Sequence, residues 1–170
     1  AKMLELGGID MYMDILRRVT PAELVTSAGF ARRPHGTAMW AMKDLIAHGQ
    51  NQADISSEIL ACGYIDTCVA ALTAVEQVGA EHVNGCVVVC GAIWPLWLID
   101  GVAMPQIEEK LRTIPISVLR YAKENRIVHL QDTGFTSGTV ATILAACTYG
   151  KAEDNPFRWT QEDIDGFVAL

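Results

Sequence analysis

Residues 38–65, AMWAMKDLIAHGQNQADISSEILACGYI, decide how the rest of the chain is read. Met39, Met42, Leu45 and Ile46 recur at three- and four-residue steps, which marks one face of an amphipathic helix. A polar break follows at 48–53, then a short helical segment carrying Ile55, Ile59 and Leu60, and then Gly63 with Ile65 behind it opening another helix. Helix, turn, short helix, glycine, helix is the pattern of a repeating unit. Such a unit leaves apolar faces bare, and a neighbouring unit must cover them.

Upstream, Ile9, Tyr12, Met13, Ile15 and Leu16 trace a helical face that opens at Gly7 and Gly8 and ends near Val19. Thr20, Pro21 and Glu23 predict a capping box, with threonine as N-cap, proline in the first helical position and glutamate in the third. The helix so started covers 21–28, and 29–36 reads as a loop. Thr37 is then the expected cap of the helix that runs to His48, with Gly49 ending it.

Downstream, the spacing predicts helices over 55–62, stopped by Gly63, and over 64–78, closed by Gly79. Residues 81–94 read as a helix that is apolar nearly all round, the kind that is covered on several sides. Val87, Val88 and Val89 would also suit a buried strand, but the length and the lack of turn signals favour helix. Pro95 ends or bends it. Helices over 105–111, 114–125 (with Pro115 in its first turn), 139–147 and 160–170 complete the reading, with a loop at 127–138 and a turn at 154–156.

Residues 38–65 resemble the junction between two armadillo repeats. There a WALSNL-like string ends one helix, a polar turn with Asn and then Ile follows, and a Gly-x-Ile opens the next helix. Here Trp40 to Leu45 stand as WAMKDL, Asn51 and Ile55 follow, Gly63, Tyr64 and Ile65 stand as GYI, and Gly7, Gly8 and Ile9 match a GGI opening. Asp44 stands where the family usually has Asn. The resemblance implies an all-α, right-handed α-solenoid of about three armadillo-like helical repeats, divided as a partial repeat 1–62, a repeat 63–113 and a repeat 114–170. The helix starts at Gly8, Gly63 and Ile114 are spaced more widely than the family's ~42 residues, an excess that the helix after Pro21 and longer loops would absorb.

The resemblance also implies a site. In armadillo proteins the matching Trp and Asn lie on the inner helix and line a concave groove, where Asn holds the backbone of an extended peptide and Trp rings wall its side-chain pockets. Carried over, Trp40 is a stacking wall, and Asp44 accepts hydrogen bonds from peptide N–H groups or from a Lys or Arg; Lys43 and Thr37 on the same helix flank them. The alternative is that Trp40 is a core residue and Asp44 a solvated one. Gly91 and Pro95 fall at the equivalent places of the next inner helix, so no ladder of Trp/Asn pairs repeats.

Composition sets outer bounds. At 170 residues, 51% hydrophobic and 19% charged, the chain is long and apolar enough to bury a substantial core and does not read as disordered. A net charge of −7 argues against nucleic acid and suits a basic partner better. Only Arg32 and Arg33, beside Pro34 and His35, make a local basic spot, and paired arginines in a loop are usually just solvated. The longest apolar run, 86–99, contains Pro95 and is shorter than the ~20 residues a membrane crossing needs. Cys62, Cys68, Cys86, Cys90 and Cys147 are odd in number and lack CxxC spacing, which predicts reduced, buried thiols and an intracellular setting, cytoplasmic or nuclear. No secretory pattern opens the chain at Ala1, and the first residues read as the tail of a unit that begins upstream.

Three stretches bear on chemistry. His82, Cys86 and Cys90 lie on one predicted helical stripe, but three donors in line along a helix cannot all close around one ion. Asp132, Thr133 and Gly134 spell DTG, without the strand-rich setting or second copy that aspartic proteolysis requires. GFTSGT at 134–139 lacks the GK[ST] ending of a phosphate cradle. The expectation is therefore a non-enzymatic scaffold without metal or cofactor that binds another protein through a basic or extended segment. The alternatives are a structural piece of a large assembly and a small helical enzyme or metal-binding domain.

Overall fold

The computed structural model describes residues 7–26, 33–48, 52–79, 89, 93, 96, 98–99, 102–103 and 105–125. These are mostly helical, in line with an all-α class. Helix α1 spans Gly8–Leu16 and buries Ile9, Met13 and Leu16, the stripe its spacing predicts. Helix α2, Pro21–Val25, begins with the expected capping box. The Thr20 N–H donates to Glu23 Oε2 at 2.8 Å, the Thr20 hydroxyl donates to the same oxygen at 2.9 Å, and the Glu23 N–H donates back to Thr20 Oγ1 at 3.4 Å. This helix is shorter than expected. The Thr26 hydroxyl donates to the Ala22 carbonyl at 2.8 Å, taking the acceptor that a further helical N–H would use, and the backbone at Thr26 is extended.

Helix α3, Pro34–His48, corrects two expectations at its start. The loop does not extend to Gly36, and Thr37 is not the cap. The Thr37 N–H bonds the Arg33 carbonyl at 3.1 Å and its hydroxyl reaches the same carbonyl at 3.4 Å, so Thr37 already lies inside the first turn. Proline is the reason. Pro34 arrives with a helical φ, and in the first helical position its missing donor costs nothing.

Helix α4, Gln52–Ala61, begins three residues before the expected Ile55. It joins α5, Tyr64–Thr73, through a 60° bend. Gly63 makes that bend at φ 83, a left-handed conformation that disfavours other residues. The single helix expected over 64–78 is broken at Ala74, whose N–H is shared between the Ala70 and Ala71 carbonyls at 3.1 Å each; α6, Val75–Val78, follows and stops at Gly79. Leu98–Ile99 (β1) and Val102–Ala103 (β2) form a two-residue antiparallel ribbon, with Leu98 opposite Ala103, that the helical reading did not include. Helix α7, Pro105–Leu111, has the bounds its sequence predicts, and α8, Ile116–Glu124, starts just after Pro115 and not before it. Val89 and Ile93, from the helix expected over 81–94, and Leu96 beyond Pro95 are helical and buried.

One hydrophobic cluster joins the described helices. Helix α1 packs on α3, α3 on α4, α4 on α5, α5 on α6 and α7, and α6 on α8, while α2 lies across α5 and α6. Met13 and Leu16 of α1, Met39, Met42 and Ile46 of α3, Ile55 and Ile59 of α4, and Ile65 and Leu72 of α5 are buried in it, each side chain contributing about 1.5–3 kcal/mol by leaving water. Polar contacts fasten the outside. The Arg17 guanidinium donates to the Cys62 carbonyl at 2.9 Å, covering the C-terminal end of α4 with a cation, and Asp66 on α5 pairs with Lys110 on α7. The loop over 127–138, the helices over 139–147 and 160–170, the turn at 154–156, the DTG and GFTSGT strings and the His82, Cys86 and Cys90 stripe lie outside the described residues.

Candidate functional site

Helix α3 buries Ala38, Met39, Met42 and Ile46 at 3% exposure or less, which leaves its opposite side to solvent. Thr37 and Asp44 are exposed there, and Trp40 and Lys43 are half-buried at its edge. Thr37, Trp40 and Asp44 follow one another at helical spacing, so the fold brings three of the four expected residues onto one stripe. The fourth, Lys43, sits one turn from Trp40 with its ammonium 4.1 Å from the ring centroid. A cation over an indole face at an exposed position is stabilised by about 0.5–1 kcal/mol. Trp40 itself packs, partly buried, against the core cluster. Trp40 is therefore neither wholly internal nor free-standing.

Of the basic spot expected at 32–35, Arg32 lies outside the described residues. Arg33 and Pro34 are exposed, but His35 turns inward and is 4% exposed. Burial, with the Arg33 charge beside it, holds the His35 imidazole below its ordinary pKa, and Glu23 opposes that weakly. Underneath α3, the Tyr64 hydroxyl donates to Met39 Sδ at 3.7 Å. Complete burial pushes this phenol well above its usual range, and the nearby Cys68 thiol adds to the effect.

Cys68 is buried and Cys62 half-buried, both as free thiols. Burial raises both, Cys68 to about 12, so neither is a ready nucleophile. No three His, Cys, Asp or Glu side chains cluster as metal ligands among the described residues. No single helix among them is long and apolar enough to cross a membrane.

Two features escaped sequence reasoning for different reasons. The Lys43–Trp40 stack follows from their separation of three residues and was open to the same helical argument that linked Trp40 with Asp44. The inward turn of His35 depends on α3 starting at Pro34, a boundary the expected Thr37 cap displaced. Comparison with protein-family models, curated proteins and solved structures finds no match to this chain.

Proposed function

We propose that the chain is a non-enzymatic protein-interaction scaffold, a right-handed α-solenoid of about three armadillo-like repeats that binds an extended, basic segment of another protein. Thr37, Trp40, Lys43 and Asp44 of α3 form the contact stripe. The observation that carries the reading is the position of Trp40, a large ring held at the edge of the core with a cation on its face and an exposed carboxylate one turn on. The order of packing supports the stack, since most helices lean on elements close to them in the chain.

The chemistry of the stripe selects the partner. An ionised Asp44 can only accept hydrogen bonds, which suits backbone N–H groups and Lys or Arg side chains. A guest cation that takes the place of Lys43 on Trp40 exchanges like for like, so little is lost in opening the ring. The acidic balance of the chain, −7 overall, draws a basic segment toward it.

Capture from a reduced cell extract with the wild-type chain and with Trp40→Ala tests the reading. Truncating a tryptophan anchor costs about 2 kcal/mol or more of binding, roughly a thirtyfold loss, so the partner should disappear from the variant's eluate. Helical content and melting should be nearly unchanged. A variant that keeps the partner, or one that no longer folds, would place Trp40 in the core and sink the proposal.

A further inference from the structure

Lys43 stands one turn after Trp40 on α3 with its ammonium 4.1 Å from the indole centroid, so one face of the ring already carries a cation. Both side chains are half-buried, and Trp40 packs against the core cluster. Asp44 is exposed and lies four residues from Trp40, a separation that puts the two on one helix face with Cβ atoms about 5–6 Å apart. Lys43 precedes Asp44 directly, and adjacent helix residues do not face each other. The ring and the carboxylate thus make a pair that a planar guanidinium fits, stacked on the indole while its fork donates to Asp44. An ammonium, a point charge on a flexible stem, has no fork to share between them.

We infer that Lys43 is a resident competitor for the Trp40 face: in the unbound chain it holds the place of an arginine from the partner segment, which binds by displacing it. The role rests on the reading of Thr37, Trp40 and Asp44 as a contact stripe, and it makes Lys43 a gate to that stripe. The net charge of −7 supports a basic guest. A cation on an indole at an exposed edge favours the stacked state over the open one by about two- to fivefold. The guest meets only the open fraction, so its apparent affinity is lowered by about three- to sixfold. Loss of the Lys43 charge releases the ring without altering Trp40 or Asp44.

The test is the affinity of a labelled peptide of alternating arginine and serine for the full chain, read by fluorescence anisotropy. Lys43→Met, which keeps an unbranched stem and drops the charge, should bind it about three- to sixfold more tightly than the wild type. Arg120→Met, an equal charge loss at an exposed position of α8, should change little. In the wild type the Lys43 ε-methylene protons, displaced by the indole ring current, should return toward their ordinary NMR position as the peptide is added. If binding depends on Trp40 but Lys43→Met binds equally or more weakly, Lys43 is a contact and the competitor role is overturned with the stripe intact. If Trp40→Ala binds as tightly as the wild type, stripe and competitor fall together. An ε-methylene signal that stays displaced in the bound state also refutes the exchange, whether or not Lys43→Met folds.

Discussion

Replacing Gly63 by alanine isolates the backbone conformation that turns α4 into α5. The glycine sits at φ 83, and a Cβ built there would meet only Asp66 Oδ2 at 3.8 Å, an ordinary contact. Steric overlap is thus absent and the cost is conformational. A left-handed backbone costs an L-residue roughly 1–2 kcal/mol. Alanine also narrows the unfolded ensemble, which offsets about 0.4–1 kcal/mol of that. The net loss should be about 1 kcal/mol. In urea, with a slope of about 1–3 kcal/mol/M for a small protein, the midpoint should fall by roughly 0.3–1 M at unchanged slope. Gly63→Asn should lose less, since asparagine tolerates the left-handed region. Gly7→Ala, at φ 71 with open space around the added carbon, should lose a similar amount to Gly63→Ala. A neutral or stabilising Gly63→Ala, or an asparagine variant weaker than the alanine one, would refute the account of the bend.

Arg17→Ala strips the cation from the Cys62 carbonyl and should cost about 1 kcal/mol, measured by urea unfolding; Arg17→Lys, which keeps the charge, should lose less. Thr20→Ala removes the N-cap of α2 and should likewise cost about 1 kcal/mol by thermal melting, with no loss if the capping box is absent in solution. Glu23 is held below its ordinary pKa by the Thr20 N–H and hydroxyl, so its stabilisation is complete above about pH 4.5 and fades as pH falls through the lowered folded value. Melting curves of Glu23→Gln should lose that acid-side decline. Peptide-mapped alkylation at pH 8 should leave Cys68 unmodified until the protein is denatured, and labelling of Cys68 at the rate of a free thiol would contradict its burial.

How much of this was legible in the sequence depends on whether a feature is local. The Thr20 capping box and the bounds of α7 are written in a few adjacent residues and were read correctly. The start of α3 was misread because two local signals competed, a threonine cap at 37 and a proline at 34, and the proline won. The break at Ala74 has no breaker residue in the sequence, and helical spacing continues across it from Leu72 to Val75. At the candidate site, the four-residue spacing of Trp40 and Asp44 put them on one face, while Thr37 was expected as the cap. It did not say how far Trp40 is covered, because cover comes from other helices. The bond from Arg17 to the Cys62 carbonyl joins residues 45 apart and leaves no trace in either neighbourhood.

Helices α1 and α2 are adjacent in the chain yet dock in different places, the first on α3 and the second across α5 and α6. The short exposed connection at Arg17 and Arg18 therefore works as a strap between two regions that the rest of the backbone reaches only by way of α3 and α4. A protease nick there would sever no seam, but it would turn one tethered attachment into two independent ones. Helix α1 would then hold its berth only by packing on α3, while the five-residue α2 would stay tied to the chain that leads into α3.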